Sequence, residues 1–423
     1  MACFPCVHHI EVGVTDGPGA IEVLKLQYGF KVKAVRHSQV ADQWLMVRSD
    51  TRFLITSLKS QDQSLIQNDN YAINWASRPA EPSPLPEKPS VFNIAFQVKN
   101  IDVCIQRLQA QNVAFPKTPR TVTDTSGSVN TCVIKSCVGD VYHTLLDKSS
   151  YTGSFLPEFI PVGKDDVSQE SGVSGECADS LTQSFDHVAL AVEMNKSMSV
   201  IEWYEKCFGM KRFLINRQEI PDEGLVLSTD NVGLRLRAME YWKCAEVGLT
   251  TPRDDGVLGR LSLVVAEGLP PVPGSSEENQ IESWMKQHGG AGIQHVAVLC
   301  TDIKSTVSDL RRCGAAFAKP PPDTYYTEIG RLYDIQEAGE ELSVLKENGI
   351  LIDTEADGIH AVTHTSGEAR RDGYLLQIFT QPLLKKDPFF LEFIQREGAT
   401  GFGSGNVAAL YRSVQAYIVG QQN

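Results

Sequence analysis

Positive charge, long apolar runs and any ordered spacing of cysteines are what this 423-residue chain lacks. Lys and Arg number 39 against 52 Asp and Glu, a net charge of −13 at pH 7. No Lys/Arg cluster interleaved with aromatics occurs, which argues against nucleic acid and anionic membrane as partners. No apolar run approaches the roughly 18 residues needed to cross a bilayer, so no transmembrane segment is expected. The first twenty residues hold no Lys or Arg and no long apolar core, so neither a secretory signal nor a transit peptide is readable there. Ten cysteines are scattered without a framework spacing, as expected of a reducing compartment. Cys3 and Cys6 form the one close pair, and without a second pair they read as incidental rather than as a zinc or redox site.

What is present is a globular composition, 42% hydrophobic, in a chain too long for one ordinary core, so two domains are expected. One unit is written four times. HHIEVGV from His8 precedes a helix with Ile21, Leu24 and Tyr28 on one face that stops at Gly29. DHVALAV after Phe185 precedes a helix carrying Ile201, Tyr204 and Phe208 that stops at Gly209. A closer pair is FNIAFQVKNIDVCIQRLQAQNVAFPK from Phe92 and QHVAVLCTDIKSTVSDLRRCGAAFAK from Gln294, with Asn112 and Gly314 at the same helix-terminating position. This predicts an α+β protein of four βαβββ-type modules in two domains, residues 1–160 and 184–423. The polar, small and acidic stretch between them, 161–183, reads as a linker. Ser60 to Ser90, with EPSPLPEKP, reads as an extended surface loop, and Glu240 to Arg260 and Asp353 to Asp372 as further loops.

The stretch from Arg371 to Leu410 carries the chemistry. It predicts two apolar strands, a carboxylate inside the second, Glu392, and a glycine-rich exit. A carboxylate among Phe390, Leu391, Phe393 and Ile394 is costly unless a cation or hydrogen-bond donors meet it. His187 and His295 have the same setting near the starts of apolar strands, and two imidazoles with one carboxylate make the ligand set of a non-haem Fe(II) site. Aligning the halves places His9 opposite His187, Asn93 opposite His295 and Thr144 opposite Glu392. One imidazole, one amide and one hydroxyl bind a divalent metal poorly, so the first half is expected to be structural and His9 a hydrogen-bonded strand residue. His360 and His364 could pair only on a helix, which Gly358, Val362, Thr363, Thr365 and Gly367 argue against. Residues 407–419 put Val407, Leu410, Tyr411, Val414 and Tyr417 on one face of a closing helix behind Gly401, Gly403 and Gly405; a lid and a plain cap are both open readings.

GGAGIQHVAV, DGYLLQIFTQP, FFLEFIQREG and GFGSGN resemble the metal-binding half of the 4-hydroxyphenylpyruvate dioxygenase family, of the vicinal-oxygen-chelate fold, weakly before Ser184 and strongly after Gly289. PPPDTYYTEIGR and EFIQREGATGFGSGN look closer to a paralogous branch of it. The resemblance implies His187, His295 and Glu392 as Fe(II) ligands, Gln280, Gln294 and Gln377 as pocket glutamines, and Phe379, Phe390, Phe402 and Asn406 as the aromatic wall and gating segment. It implies a 2-oxo acid and O₂ as partners, with a homodimer left open. Leu236 stands where the family has a serine, Ala266 where it has an asparagine, and Val407 where it has a phenylalanine. The branch implies conversion of 4-hydroxyphenylpyruvate to 4-hydroxymandelate on a route toward the ubiquinone head group, in mitochondria, against homogentisate formation and a cytoplasmic setting as the alternatives. An extradiol-type metalloenzyme and a ligand-binding pseudoenzyme of the same fold also stay open.

Overall fold

The computed structural model describes residues 6–75, 88–163, 182–216, 219–228, 233–240, 262–270, 279–327, 331–354, 373–399, 401–403 and 405–406. The first module runs β1 (Cys6–Val14), α1 (Gly17–Leu26), β2 (Lys31–His37), β3 (Ala41–Arg48) and β4 (Thr51–Leu58). After α2 (Gln63–Asn68) the second runs β5 (Ser90–Gln97), α3 (Ile101–Ala110), β6 (Lys117–Asp124), β7 (Gly127–Lys135) and β8 (Tyr142–Tyr151). The short β9 (Ile160–Pro161) pairs back onto β2. The third has β10 (Thr182–Val192), α4 (Ser197–Phe208), β11 (Lys211–Phe213), β12 (Leu225–Ser228), β13 (Gly233–Glu240) and β14 (Ser262–Gly268), then α5 (Gln280–His288). The fourth has β15 (Gly292–Cys300), α6 (Ile303–Arg312), α7 (Asp323–Thr327), α8 (Arg331–Ala338), α9 (Leu342–Asn348), β16 (Leu351–Thr354), β17 (Tyr374–Phe379) and β18 (Phe390–Glu397).

Each pair of modules makes one nine-stranded mixed sheet. In each module the first strand runs parallel to the last, β1 with β4, β5 with β8, β10 with β14 and β15 with β18. The two modules of a sheet meet through antiparallel first strands, β1 with β5 and β10 with β15. The helices start where a side chain takes their free amides: Asp16 accepts from Gly19 N, Asn100 from Val103 N and Asp302 from Ser305 N. They stop where the backbone turns left-handed, at Gly209 (φ 75°) and Gly314 (φ 89°) and, with the side chain that best tolerates it, at Asn112 (φ 54°). The parallel-paired strands are buried on both sides, one face under helices and the other inside the curled sheet.

One core spans both halves. Phe53 meets Phe185 edge to face at 5.4 Å, Phe96 meets Phe208 at 5.3 Å, and His143 Nε2 lies 2.8 Å from the Tyr204 hydroxyl. A buried ionic bridge crosses the same boundary: His288 Nδ1 lies 2.7 Å from Asp387 Oδ2 and its Nε2 3.4 Å from Asp140 Oδ1, with Trp284 stacked on the ring. Burial by itself would lower the imidazole, but bonds to Asp140 and Asp387 outweigh it and raise His288 from 6.5 to about 9. A raised folded value means that this stabilisation is full below pH 6.5 and fades as pH rises through about 9. His288→Ala should therefore cost about 3–5 kcal/mol near neutral pH by stranding two buried carboxylates, and much less above pH 9; melting curves across pH 6–10 check it, and an equal loss at both ends would refute it.

Several sequence-based expectations need correction. Ser60 to Ser90 is not a surface loop throughout. Asp62 caps α2, and Tyr71, Ala72, Ile73 and Trp75 are buried inside the first sheet because their apolar mass outweighs the local turn signals. Strand pairing takes both ends of 161–183, Pro161 in β9 and Thr182 in β10. Glu240 closes β13, and Asp353 and Thr354 belong to β16. Cys104 is disulfide-bonded, against the expectation of reduced thiols, while Cys132, Cys137, Cys207, Cys300 and Cys313 are free. His360, His364 and the closing helix at 407–419 fall outside the described residues. Among the described residues no helix is long and apolar enough to cross a membrane.

Candidate metal centre

β10, β15 and β18 lie side by side, and their register brings the three ligand candidates to one face. His187 pairs with Ala297, which pairs with Glu392, while His295 stands two residues before Ala297. Only a methyl group at 297 stands between His187 and Glu392, which leaves room for their heads to converge. Glu392 Oε2 is 3.4 Å from His187 Nε2 and 3.3 Å from His295 Nε2, and one ligand atom from each residue lies within 4.8 Å of the others. All three are buried or nearly so, with Glu392 2% and His187 3% exposed.

Two β-bulges fix the imidazoles. Phe185 pairs with Val298 and His187 with Ala297, so Asp186 is an extra residue; Ala189 pairs with His295 and Leu190 with Ile293, so Gln294 is another. In a regular strand each would face away from the histidine that follows. Here Asp186 Oδ1 reaches His187 Nδ1 at 2.7 Å, and Gln294 Oε1 reaches His295 Nδ1 at 3.1 Å. Both Nδ1 atoms are thus held as donors, and both Nε2 atoms are turned to Glu392 as metal-binding histidines require. Burial lowers the His187 imidazole, but the Glu392 charge and the bonds to Asp186 and Glu392 outweigh it and raise His187 to about 9. Burial raises Glu392, but the two imidazoles overcome this and hold it at about 2. His295 is lowered, chiefly by burial.

Asp186 is itself gripped. Arg396 donates from Nε to Oδ2 and from Nη2 to Oδ1, both at 2.7 Å, and this fork keeps Asp186 ionised against its burial. Around the imidazoles stand rings: Phe390 stacks on His295 at 4.9 Å, Phe379 meets His295 edge-on at 6.2 Å, and Phe402 meets His187 edge-on at 4.8 Å. Three buried polar atoms at or beside the centre have no hydrogen-bond partner among the described residues: Glu392 Oε1, Gln377 Oε1 and Asn406 Nδ2. Gln377 lies two residues before Phe379, which pairs with Glu392. Asn406 is anchored by the Tyr325 hydroxyl on its Oδ1 at 2.6 Å. Gly403 is glycine for close approach: its φ is 69°, and a Cβ would come within 1.9 Å of Gln377 Oε1. Gln280 stands apart, exposed at the first position of α5, with no described contact to the cluster.

The donor set suits a divalent transition ion: two neutral imidazole nitrogens, one carboxylate with an uncommitted oxygen, and outer-shell bonds already made. The equivalent place in the first sheet does not. Asn93 Nδ2 donates to Thr144 Oγ1 and to Glu11 Oε2, both at 2.8 Å, and its Oδ1 accepts from Thr144 N. His9 Nδ1 sits 2.8 Å from His8 Nδ1, and Phe155 closes against both rings. His9 is hydrogen-bonded in its strand, and its imidazole is pushed down to about 3 by burial first and then by Arg52 and Lys148.

Paired βαβββ modules in two curled sheets, with a His/His/Glu cluster on one inner face, define a vicinal-oxygen-chelate protein. Residues 184–336 match the model of the Glyoxalase/Bleomycin resistance protein/Dioxygenase superfamily. The chain belongs to the 4-hydroxyphenylpyruvate dioxygenase family. It is 30% identical to the mouse 4-hydroxyphenylpyruvate dioxygenase-like protein, over 96% of this chain and 95% of that one. It is 27% identical to the Neurospora crassa 4-hydroxyphenylpyruvate dioxygenase, over 96% and 90%. Its fold matches a triple mutant of 4-hydroxymandelate synthase from Streptomyces coelicolor with a TM-score of 0.69 at 21% identity, covering 98% of this chain and 99% of that one.

Asp186, Arg396 and Tyr325 were not picked out from the sequence. Asp186 directly precedes a candidate ligand, a cue that ordinary strand alternation argues away.

Proposed function

We propose that the chain is an Fe(II) dioxygenase that converts 4-hydroxyphenylpyruvate and O₂ to 4-hydroxymandelate and CO₂. The observation that carries the reading is the convergence of His187 Nε2, His295 Nε2 and Glu392 on one buried, aromatic-walled face, with Glu392 Oε1 uncommitted. The similarity to curated dioxygenases over nearly the whole chain supports the reaction class. Bound there, Fe(II) would supply chelation of the 2-oxo acid through carboxylate and ketone and activation of O₂. The protein's own residues do the rest. Phe379 and Phe390, 5.9 Å apart and edge to face, offer ring contacts to an aryl group. Gln377 Oε1 and Asn406 Nδ2 can take up polar ends of a substrate, and Phe402 covers His187 from water. With two neutral imidazoles and one carboxylate the loaded centre would carry about +1, which attracts an anionic oxo acid despite the acidic whole. The ubiquinone head-group route and a mitochondrial setting belong to the same proposal, on the strength of the similarity to the like-protein branch, as does an open option of a homodimer.

The test is anaerobic loading with Fe(II), addition of 4-hydroxyphenylpyruvate and O₂, and separation of the products against standards. The two candidate products are isomers, so mass alone does not distinguish them. 4-Hydroxymandelate as the main product upholds the reading. Homogentisate would make the chain a 4-hydroxyphenylpyruvate dioxygenase in the strict sense, and metal binding without CO₂ release would make it a ligand-binding relative.

A further inference from the structure

Arg396 touches two things at once. Its fork holds both oxygens of Asp186, the carboxylate that orients His187, while its remaining nitrogen, Nη1, donates to Gly401 O at 2.6 Å and to Ala399 O at 3.4 Å. The guanidinium also lies over the Phe402 ring, 5.5 Å from its centroid, and that ring meets His187 edge-on at 4.8 Å. A closed circuit results, running from His187 to Asp186, to Arg396, to the carbonyls of Ala399 and Gly401, to Phe402 and back to His187.

The first half supplies an internal control. Matching Thr144 to Glu392 also matches Lys148 to Arg396, and the bulged His8 to the bulged Asp186. Lys148 Nζ lies 3.3 Å from His8 Nε2, so the same positions still touch where no metal set survives. There the carboxylate and the fork are both gone, and Phe155, Leu156 and Phe159 are packed into the interior. The Asp–Arg fork accompanies the His/His/Glu set and Phe402, an aromatic that is only half-buried beside it.

We propose that Arg396 is a positioning residue that couples the seating of Ala399, Gly401 and Phe402 to the orientation of the metal-binding His187. The inference rests on the reading of the centre as a metal site. A planar fork can serve Asp186 and the two carbonyls together, whereas an ammonium has one compact head and must favour one of them. Charge and reach therefore separate: Lys at 396 keeps the charge on Asp186 and loses the grip on the carbonyls.

The experiment uses the full chain and two readouts independent of turnover, Co(II) affinity from its visible absorption and deuterium exchange at the amides of Ala399, Gly401, Phe402 and Gly403. Arg396→Met should weaken Co(II) binding by roughly 10–100-fold, as loss of outer-shell support does, and should speed exchange at those amides. Arg396→Lys should keep most of the Co(II) affinity while exchange remains fast, and it should consume O₂ with less product per O₂ than the parent. If Arg396→Met leaves both affinity and exchange as in the parent, or if Arg396→Lys restores both together, the coupling is refuted. Should Arg396→Met fail to fold, the Lys variant alone decides, since only a two-handed fork predicts the split. A parent protein that binds no Co(II) or Fe(II) would sink the metal reading, and the exchange arm would still decide whether Arg396 holds these residues.

Discussion

Glu392→Ala should leave the protein folded and unable to retain Fe(II), with turnover of 4-hydroxyphenylpyruvate below detection. Glu392 supplies the only carboxylate of the cluster and lies within 3.4 Å of both imidazole Nε2 atoms. Its loss leaves two neutral nitrogens and removes the one negative charge of the ligand set that draws a cation in. His187→Ala and His295→Ala should have the same outcome, each by removing one of three protein ligands, and each beyond the roughly 10–100-fold cost of outer-shell changes. Measured without metal, Glu392→Ala should also lose stability near neutral pH, because Glu392 held at about 2 and His187 raised to about 9 form a favourable buried pair that the variant breaks. His9→Ala is the matched control. It alters the equivalent strand position in the first sheet, beside Phe155 and His8, and should cost packing without touching iron. Equilibrium dialysis with Fe(II) under anaerobic conditions reads all four. Iron loss in His9→Ala as severe as in His187→Ala would place the centre in the wrong sheet.

Duplication made much of this legible before any coordinates. Because the halves repeat, Asn93 and Thr144 could be set against His295 and Glu392, and the ladders put Asn93 beside Tyr142 just as they put His295 beside Phe390. Left-handed residues at Asn112, Gly209 and Gly314 ended the helices where the repeats aligned. What stayed hidden depends on two one-residue exceptions to strand periodicity. Asp186 and Gln294 reach their neighbours' Nδ1 only because each is the extra residue of a bulge, and a bulge leaves no mark in an alternating apolar pattern. The helices α7, α8 and α9 were equally silent. They are five to eight residues long and owe their order to Tyr325, Tyr326, Ile335 and Leu345 buried under the second sheet, not to any strong propensity of their own.

On the proposed function, Leu236→Ser combined with Ala266→Asn should shift the product of 4-hydroxyphenylpyruvate from 4-hydroxymandelate toward homogentisate by about tenfold in ratio, equivalent to about 1.4 kcal/mol between the competing barriers. The two positions are register partners in the β13–β14 ladder, and Ala266 pairs onward with Ala191 of β10, so the three form one apolar row across the inner face. Ala191 lies four residues from His187, roughly 13 Å of strand, and on the proposed function an aryl group chelated at the centre extends along this row. A phenol hydroxyl arriving there finds no hydrogen-bonding side chain at 191, 236 or 266, and a buried hydroxyl without a partner costs about 1–3 kcal/mol. The ring is then driven to a pose in which that hydroxyl finds another polar group, of which Gln377 Oε1 and Asn406 Nδ2 are unpaired. Such a pose presents the benzylic carbon rather than the ring carbon to the reacting oxygen. Restoring Ser and Asn gives the hydroxyl a partner at the far end and returns the ring to the position from which ring attack and side-chain migration yield homogentisate. Phe379 and Phe390 are untouched by the change, so affinity for arylpyruvates should hold while the product ratio moves. Chromatographic separation of the two isomers from single-turnover reactions gives the ratio directly. An unchanged ratio in a folded, iron-loaded double variant would sink the argument, because it would mean that the apolar row does not set the pose of the ring.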